Sequence, residues 1–462
     1  CRYWHSFWKT AICVCTLPHK LDFLVILWHF EGMKQIISLT DPKKEISPNK
    51  KLLEPIKILV NIGLFLTALS LPLLDWRFYI SDLEFNISDF LILLTAIFFL
   101  VYRLGQRFIG QAVRKWQWPL AWPMLCFLLV ALFSSLFSPW RVESLKYFFR
   151  IIVFVYLLYI VLPVNALNSW RDWRWPFYGI LMAGIGSSMV GLISLFSQDW
   201  SNSFFRAQPI AIFGQWWMGS NHNLLAELLI ITNFFILAWG YWQKNERWRR
   251  CSQILFVSFS LITLLTFSRA AWLVVATQLL FMWLLLTKPR ERFGWLLAGL
   301  LLFVLSLPLW VKMSQLQEAN FGSTANHVLL TEIAWQSLQG RPIIGWGSGQ
   351  FLTLVDHNLR FRAKYGDPID SHGVLQKVVA ENGYLGLIAL IMVAFSLLAY
   401  WWKAWQKYGR QNLWLDFLIL GASGGLLFQL FNTSYYKGKV WLPVAISLAA
   451  IKLLKHEEST GH

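Results

Sequence analysis

An all-α polytopic membrane protein with about 12 transmembrane helices is predicted by three observations. Of the 462 residues, 56% are hydrophobic and only 14% charged, whereas a soluble domain carries about 25% charge. Apolar runs of the length that crosses a hydrocarbon core about 30 Å thick, roughly 20 residues as helix, recur along the chain. Lys and Arg collect in alternate loops between those runs. Backbone groups in lipid must pair within their own segment, so each run is read as a helix. An ordinary soluble enzyme is thereby excluded. The net charge of +17 would suggest nucleic acid in a soluble chain, but here it reports topology, and no nucleic-acid partner is expected. Five scattered cysteines make neither a disulfide framework nor a Cys-type zinc site.

In chain order, residues 1–32 are apolar but broken by His19, Lys20 and Asp22, and are expected to be an N-terminal extension outside the working protein. Residues 33–55, opening at Met33 and rich in lysine, are expected to be a cytoplasmic tail. Spans 1–9 fill 56–311, near 56–74, 87–102, 118–138, 147–164, 176–198, 224–242, 252–267, 270–287 and 294–311. A long outer loop with short helices occupies 312–382. Spans 10–12 follow within 383–455, near 383–402, 412–433 and 439–455, and 456–462 is a second cytoplasmic tail.

Alternate threading sets the sidedness. Arg103, Arg107, Arg114, Lys115, Lys244, Arg247, Arg249, Arg250, Lys403, Lys407 and Arg410 fall on the side of the Met33 tail. Cytoplasmic loops hold the Lys and Arg excess, so both termini are placed in the cytoplasm of an inner-membrane protein. The loop 312–382, the stretch Gln198 to Asn223 and the Ser268-Arg269 turn then share the periplasmic face. Loops as long as 312–382 inside compact proteins are usually functional.

On that face the residues offer a small set of chemical groups. Asn326 to Gln339 reads as a surface helix with Val328, Leu329, Ile333, Trp335 and Leu338 on its packed side. GRPIIGWGSGQF (Gly340 to Phe351) reads as a tight turn, since no Gly-Lys-Ser/Thr follows it. In DSHGVLQKVVAENG, Asp370 or Ser371 can cap a short helix with Val374, Leu375, Val378 and Val379 facing inward and Gly383 at its end. His372 is then expected in the first turn, where the helix dipole favours a neutral imidazole beside an anion. A capping or hydrogen-bonding role for His372 is the competing reading. Arg269, almost without a loop around it, needs a partner or a wet cavity. Glu227 is the expected partner, and a phosphate clamp is the sharper reading. Arg206 and Arg341 add positive charge. The external histidines, including His222, His327 and His372, lack the spacing of a zinc helix, so no metal is expected. Trp216, Trp217, Trp335 and Trp346 are candidates to stack on sugars.

Arg206 ahead of Asn223-Leu224-Leu225-Ala226, the Ser268-Arg269 turn, RPIIGWGSGQF and SHGVLQKVVAENGYLGL follow one another over roughly residues 200–395. In that order they resemble the O-antigen ligase and O-antigen polymerase superfamily, which includes cyanobacterial members once described as bicarbonate transporters. The resemblance implies a fold related to the GT-C enzymes and a metal-independent, cofactor-free glycosyltransferase. Such an enzyme moves an undecaprenyl-diphosphate-linked glycan to a sugar hydroxyl on an acceptor glycolipid or lipid-linked glycan, at the outer face of the lipid bilayer. It further implies His372 as the base and Arg269, Arg206 and Arg341 as diphosphate contacts, with Glu227, Asn223 and His327 in support. Two departures stand out. The family usually reads His-Asn where this chain has His372-Gly373, and an Arg commonly opens the loop helix where His327 stands. The competing class is a solute or anion transporter of the bicarbonate-transporter kind, for which the chain shows no paired halves. A membrane scaffold in polysaccharide export is the third.

Overall fold

A computed structural model describes residues 48–80, 83–198, 206–286, 321–409 and 411–460. These are mostly helical. Helices α1 (Pro48–Leu69), α2 (Ile87–Phe108), α3 (Ala121–Leu136), α4 (Arg141–Ala166), α5 (Trp170–Phe196), α6 (His222–Trp242), α7 (Glu246–Leu265) and α8 (Arg269–Leu286) come first. After them come α9 (Phe321–Gly340), α10 (Phe351–Asp356), α11 (Leu359–Tyr365), α12 (Val374–Gly409), α13 (Leu413–Phe428) and α14 (Gly438–Thr460). Among the described residues α2, α4, α5, α6 and α12 are long and apolar enough to cross a membrane, and α3, α8 and α13 are shorter apolar helices. Every predicted apolar run meets a helix except 294–311, which lies outside the described residues, as do the expected N-terminal extension and most of the lysine-rich tail. One departure from an all-α chain is a small hairpin, β1 (Arg77–Ile80) antiparallel to β2 (Leu83–Asn86), with Arg77 opposite Asn86.

Helix starts follow capping chemistry. Ser169, Asn221 and Asn245 are extended residues whose side chains accept from the first-turn amides of α5, α6 and α7, groups with no partner inside the helix. The loop helix α9 begins before the predicted Asn326, and its packed side differs from the prediction. Leu329, Leu330, Ile333, Ala334 and Leu338 are buried, whereas Val328 and Trp335 are exposed. The apolar stripe is therefore turned by about one residue around the axis.

The chain divides into two compact units. In the first, the described residues are 48–59 and 98–114, and the Leu53 side chain covers Gly105. The second holds 60–97 and 115–460. At one end of this second unit, Asp75 N donates to Trp217 O (3.1 Å), Ala207 N to Leu265 O (2.8 Å) and Val374 N to Gln429 O (2.8 Å). At the other end, Trp170 Nε1 donates to Glu457 (2.6 Å), Gln243 Nε2 to Tyr178 Oη (3.3 Å) and Tyr408 Oη to Glu458 (2.9 Å). The start of α12 thus shares an end with the close of α13, and the close of α6 with the start of α5. Alternate threading requires this arrangement.

Gly383 interrupts α12 with φ 64° and ψ −161°. A Cβ there would sit 2.4 Å from Ile343 O, so both backbone geometry and close approach call for glycine. The glycine-rich turn after α9 fills the break. Tyr384 N donates to Pro342 O (2.8 Å) and Leu385 N to Ile343 O (3.2 Å), while Trp346 N and Gly347 N donate to Ala380 O (3.1 Å) and Glu381 O (2.8 Å). Carbonyls freed at the break are paired again, and the turn becomes a clamp between α9 and α12.

Candidate functional site

His372 precedes its helix. The N-cap of α12 is Gly373, with no side-chain cap, so the expected Asp370 or Ser371 cap is not formed and His372 stands one residue outside the first turn. Asp370 is drawn elsewhere. Lys377 Nζ donates to both of its carboxylate oxygens (2.7 and 2.9 Å) and lies 3.4 Å from Glu381. A fully buried ammonium is stable only with such partners. Thr433 Oγ1 donates to Ser371 O (2.9 Å), and Gly373 lies so close to the α13–α14 turn that a Cβ would meet Leu430 O at 2.7 Å. Glycine at position 373 is thus a packing requirement. Val374 and Val378 are buried as expected, while Leu375 is exposed.

The same turn is held from below by Glu227, which is wholly buried in α6. Its carboxylate accepts from Gln429 Nε2 (2.8 Å), Asn432 Nδ2 (2.9 Å) and Lys439 Nζ (2.5 Å). The expected Glu227–Arg269 pair is therefore corrected: the buried carboxylate takes the equally buried Lys439, and Arg269, on the exposed first turn of α8, makes no ion pair or hydrogen bond among the described residues. Glu227 supports the site at one remove, through the turn against which His372's loop is packed.

What approaches His372 is His327. Their ring centroids are 3.9 Å apart and the planes tilted by 34°. One turn further along each helix, Gln376 Nε2 donates to Thr331 Oγ1, fixing α9 against α12 beside the rings. Arg269 is near enough to His327 for its charge to oppose protonation there. Burial, then the charge of His327, push His372 down to about 4, with Asp370 acting weakly in the other direction. Burial followed by Arg269 lowers His327. Both imidazoles are neutral at pH 7. The ring at 372 is uncharged through desolvation and the charge of His327, not through a place in the first helical turn.

Three residues far apart in sequence thus meet at one end of the second unit: an exposed guanidinium and two closely apposed, uncharged imidazoles. Residues 254–391 match the family described as O-Antigen ligase. No curated protein matches the chain. The matched segment runs from α7 into α12 and contains Arg269, His327, Arg341 and His372, whereas Arg206, Asn223 and Glu227 precede it.

Arg206 reaches the same end, because Ala207 N is bound to Leu265 O just before the Ser268-Arg269 turn. Its Nε approaches Gln208 Oε1 at 3.5 Å, and its charge is felt by His222. Asn223 donates its backbone amide to the Asn221 cap (2.9 Å). Arg341 is not brought to the pair. It follows the far end of α9 from His327, about 21 Å along the helix at 1.5 Å per residue. There its Nη1 donates to Phe137 O (2.8 Å) and its guanidinium covers the Trp346 ring at 4.8 Å. Trp346 and Trp217 are engaged internally, with Ser337 and Trp76, leaving Trp216 and Trp335 exposed. Sequence reasoning missed Lys377, Lys439, Gln429 and Asn432. Only Lys377 and Glu381, four apart on one helix, carried a readable signal.

Proposed function

We propose that this protein is a membrane glycosyltransferase that moves a glycan from a polyprenyl diphosphate to an acceptor sugar hydroxyl at the outer face of the cytoplasmic membrane. The observation that carries this reading is the meeting of His372 and His327 near Arg269, which has no partner among the described residues, within the segment that matches the O-antigen ligase family. The neutral His372 accepts the acceptor hydroxyl's proton as its oxygen attacks the anomeric carbon, a contribution of about 10² to 10⁴-fold. The bond from that carbon to the diphosphate breaks, and Arg269, the guanidinium that acts on His327, stabilises the departing charge. The donor bond is already activated, so the reaction draws on no nucleotide. Expressing His372→Ala in a strain that lacks its own copy tests the reading: glycan is expected to stay on its carrier, and full-length surface glycan in normal amount would refute it.

A further inference from the structure

We propose that His327 and His372 titrate as one unit, and that binding of a diphosphate donor beside Arg269 draws a single proton onto the pair, carried by His327. This rests on the donor chemistry proposed above. The rings are too close, at 3.9 Å between centroids, for both to be cationic without an anion beside them. Among the described residues, the charged groups that act on the pair are Arg269 from α8 upon His327, and Asp370 from the loop upon His372. Asp370 is committed to Lys377. Glu332, on the same helix as His327, is committed to Arg360. Among the described residues Arg269 is thus the charge that acts on His327, and after burial it is what disfavours a proton on that ring.

A sugar–diphosphate–prenyl diester carries two negative charges. Arg269 matches one, and the second reverses the field at His327, where an imidazolium then matches it. His372, farther from the anion and repelled by its neighbour, stays uncharged and able to accept a proton. Transfer keeps this balance. The new bond joins the acceptor oxygen to the anomeric carbon, the released terminal phosphate gains a third negative charge, and the acceptor's proton on His372 supplies a third positive one. Proton for proton and charge for charge, the site remains matched on both sides of the reaction. The histidine pair thus works as a two-step proton store, filled once by binding and once by chemistry.

Calorimetric titration of the purified full chain in detergent tests this. The probe is farnesyl-diphosphate N-acetylglucosamine, whose diester has no group titrating near neutrality, used at pH 6.5 in two buffers of different ionisation enthalpy. Uptake of roughly half to one proton per probe bound is expected for the native chain. His327→Arg, permanently charged, is expected to bind without uptake. His327→Asn is expected to bind about tenfold more weakly, the equivalent of one pKa unit, and also without uptake. His372→Asn is expected to keep the uptake. Binding by the native chain with no uptake, or uptake that survives His327→Asn and vanishes in His372→Asn, overturns the proposal while leaving the glycosyl-transfer reading intact. Absence of binding, or binding that Arg269→Ala does not weaken, removes the diphosphate reading and this proposal with it.

Discussion

Two sets of cations at the same end of the second unit behave in opposite ways. Lys377 and Lys439 are each 2% exposed, and each is closed off by carboxylates, Asp370 with Glu381 in one case and Glu227 in the other. Arg269 is exposed and has no carboxylate among the described residues. Taking an ion out of water costs several kcal/mol unless its partner comes too, so the lysines are fixed parts of the scaffold. An exposed guanidinium near neutral imidazoles has committed none of its binding capacity among the described residues. The contrast teaches that charge alone does not mark a binding residue: on the proposed function a cation with no partner among the described residues is the candidate, and a paired one marks the scaffold around it.

The sharpest break in that comparison is at His372. His372→Ala is expected to lower the rate of glycan transfer, measured in detergent micelles, by about 10² to 10⁴-fold. Glu227→Ala should do the reverse in kind. It strands Lys439 in the interior, and a stability loss of about 3–5 kcal/mol is expected by thermal or denaturant unfolding. Gly373→Asn places a Cβ against Leu430 O, and overpacking of this sort costs about 1–3 kcal/mol, with a fall in transfer because the clash moves the adjoining His372. Arg341→Ala, which loses Phe137 O and the Trp346 ring, is expected to cost about 1 kcal/mol and to leave donor affinity unchanged, unlike Arg269→Ala, which lowers affinity at unchanged stability.

The smallest effect is on pH dependence. His372 has its folded value near 4 against an ordinary 6.5, so the unfolded chain binds its proton more readily. The associated stability is fully present above pH 6.5 and declines as pH falls from 6.5 towards 4. Unfolding measured across that interval should show a slope that His372→Asn reduces, and kcat/KM should keep its acid limb near pH 4.

The apolar runs were legible because lipid imposes a length and a polarity on every span, and local composition reports both. Alternation of helix ends was legible through the loop cations. Gly383 was readable as a helix end because glycine there answers a backbone demand. His372 and Arg269 could be singled out as unusual residues in their places. Their partners could not. Glu227 had two cations to choose from, and the choice of Lys439 depends on the packing of α6 against the α13–α14 turn, elements more than 200 residues apart. The helix dipole at His372 was a sound local argument overtaken by a tertiary one, since Lys377 takes the carboxylate that would have capped the helix.

By itself the sequence determined which segments are helices, on which end of them the polar residues gather, and which ring and guanidinium stand out. Those properties follow from solvation and backbone pairing, both local to a segment. Only the tertiary structure decided that His327 lies against His372, that Arg341 faces Phe137 instead, and that Glu227 holds a turn instead of an arginine. Each of these is a choice among several chemically adequate partners, and the packing of distant helices makes that choice by setting which partner is within reach.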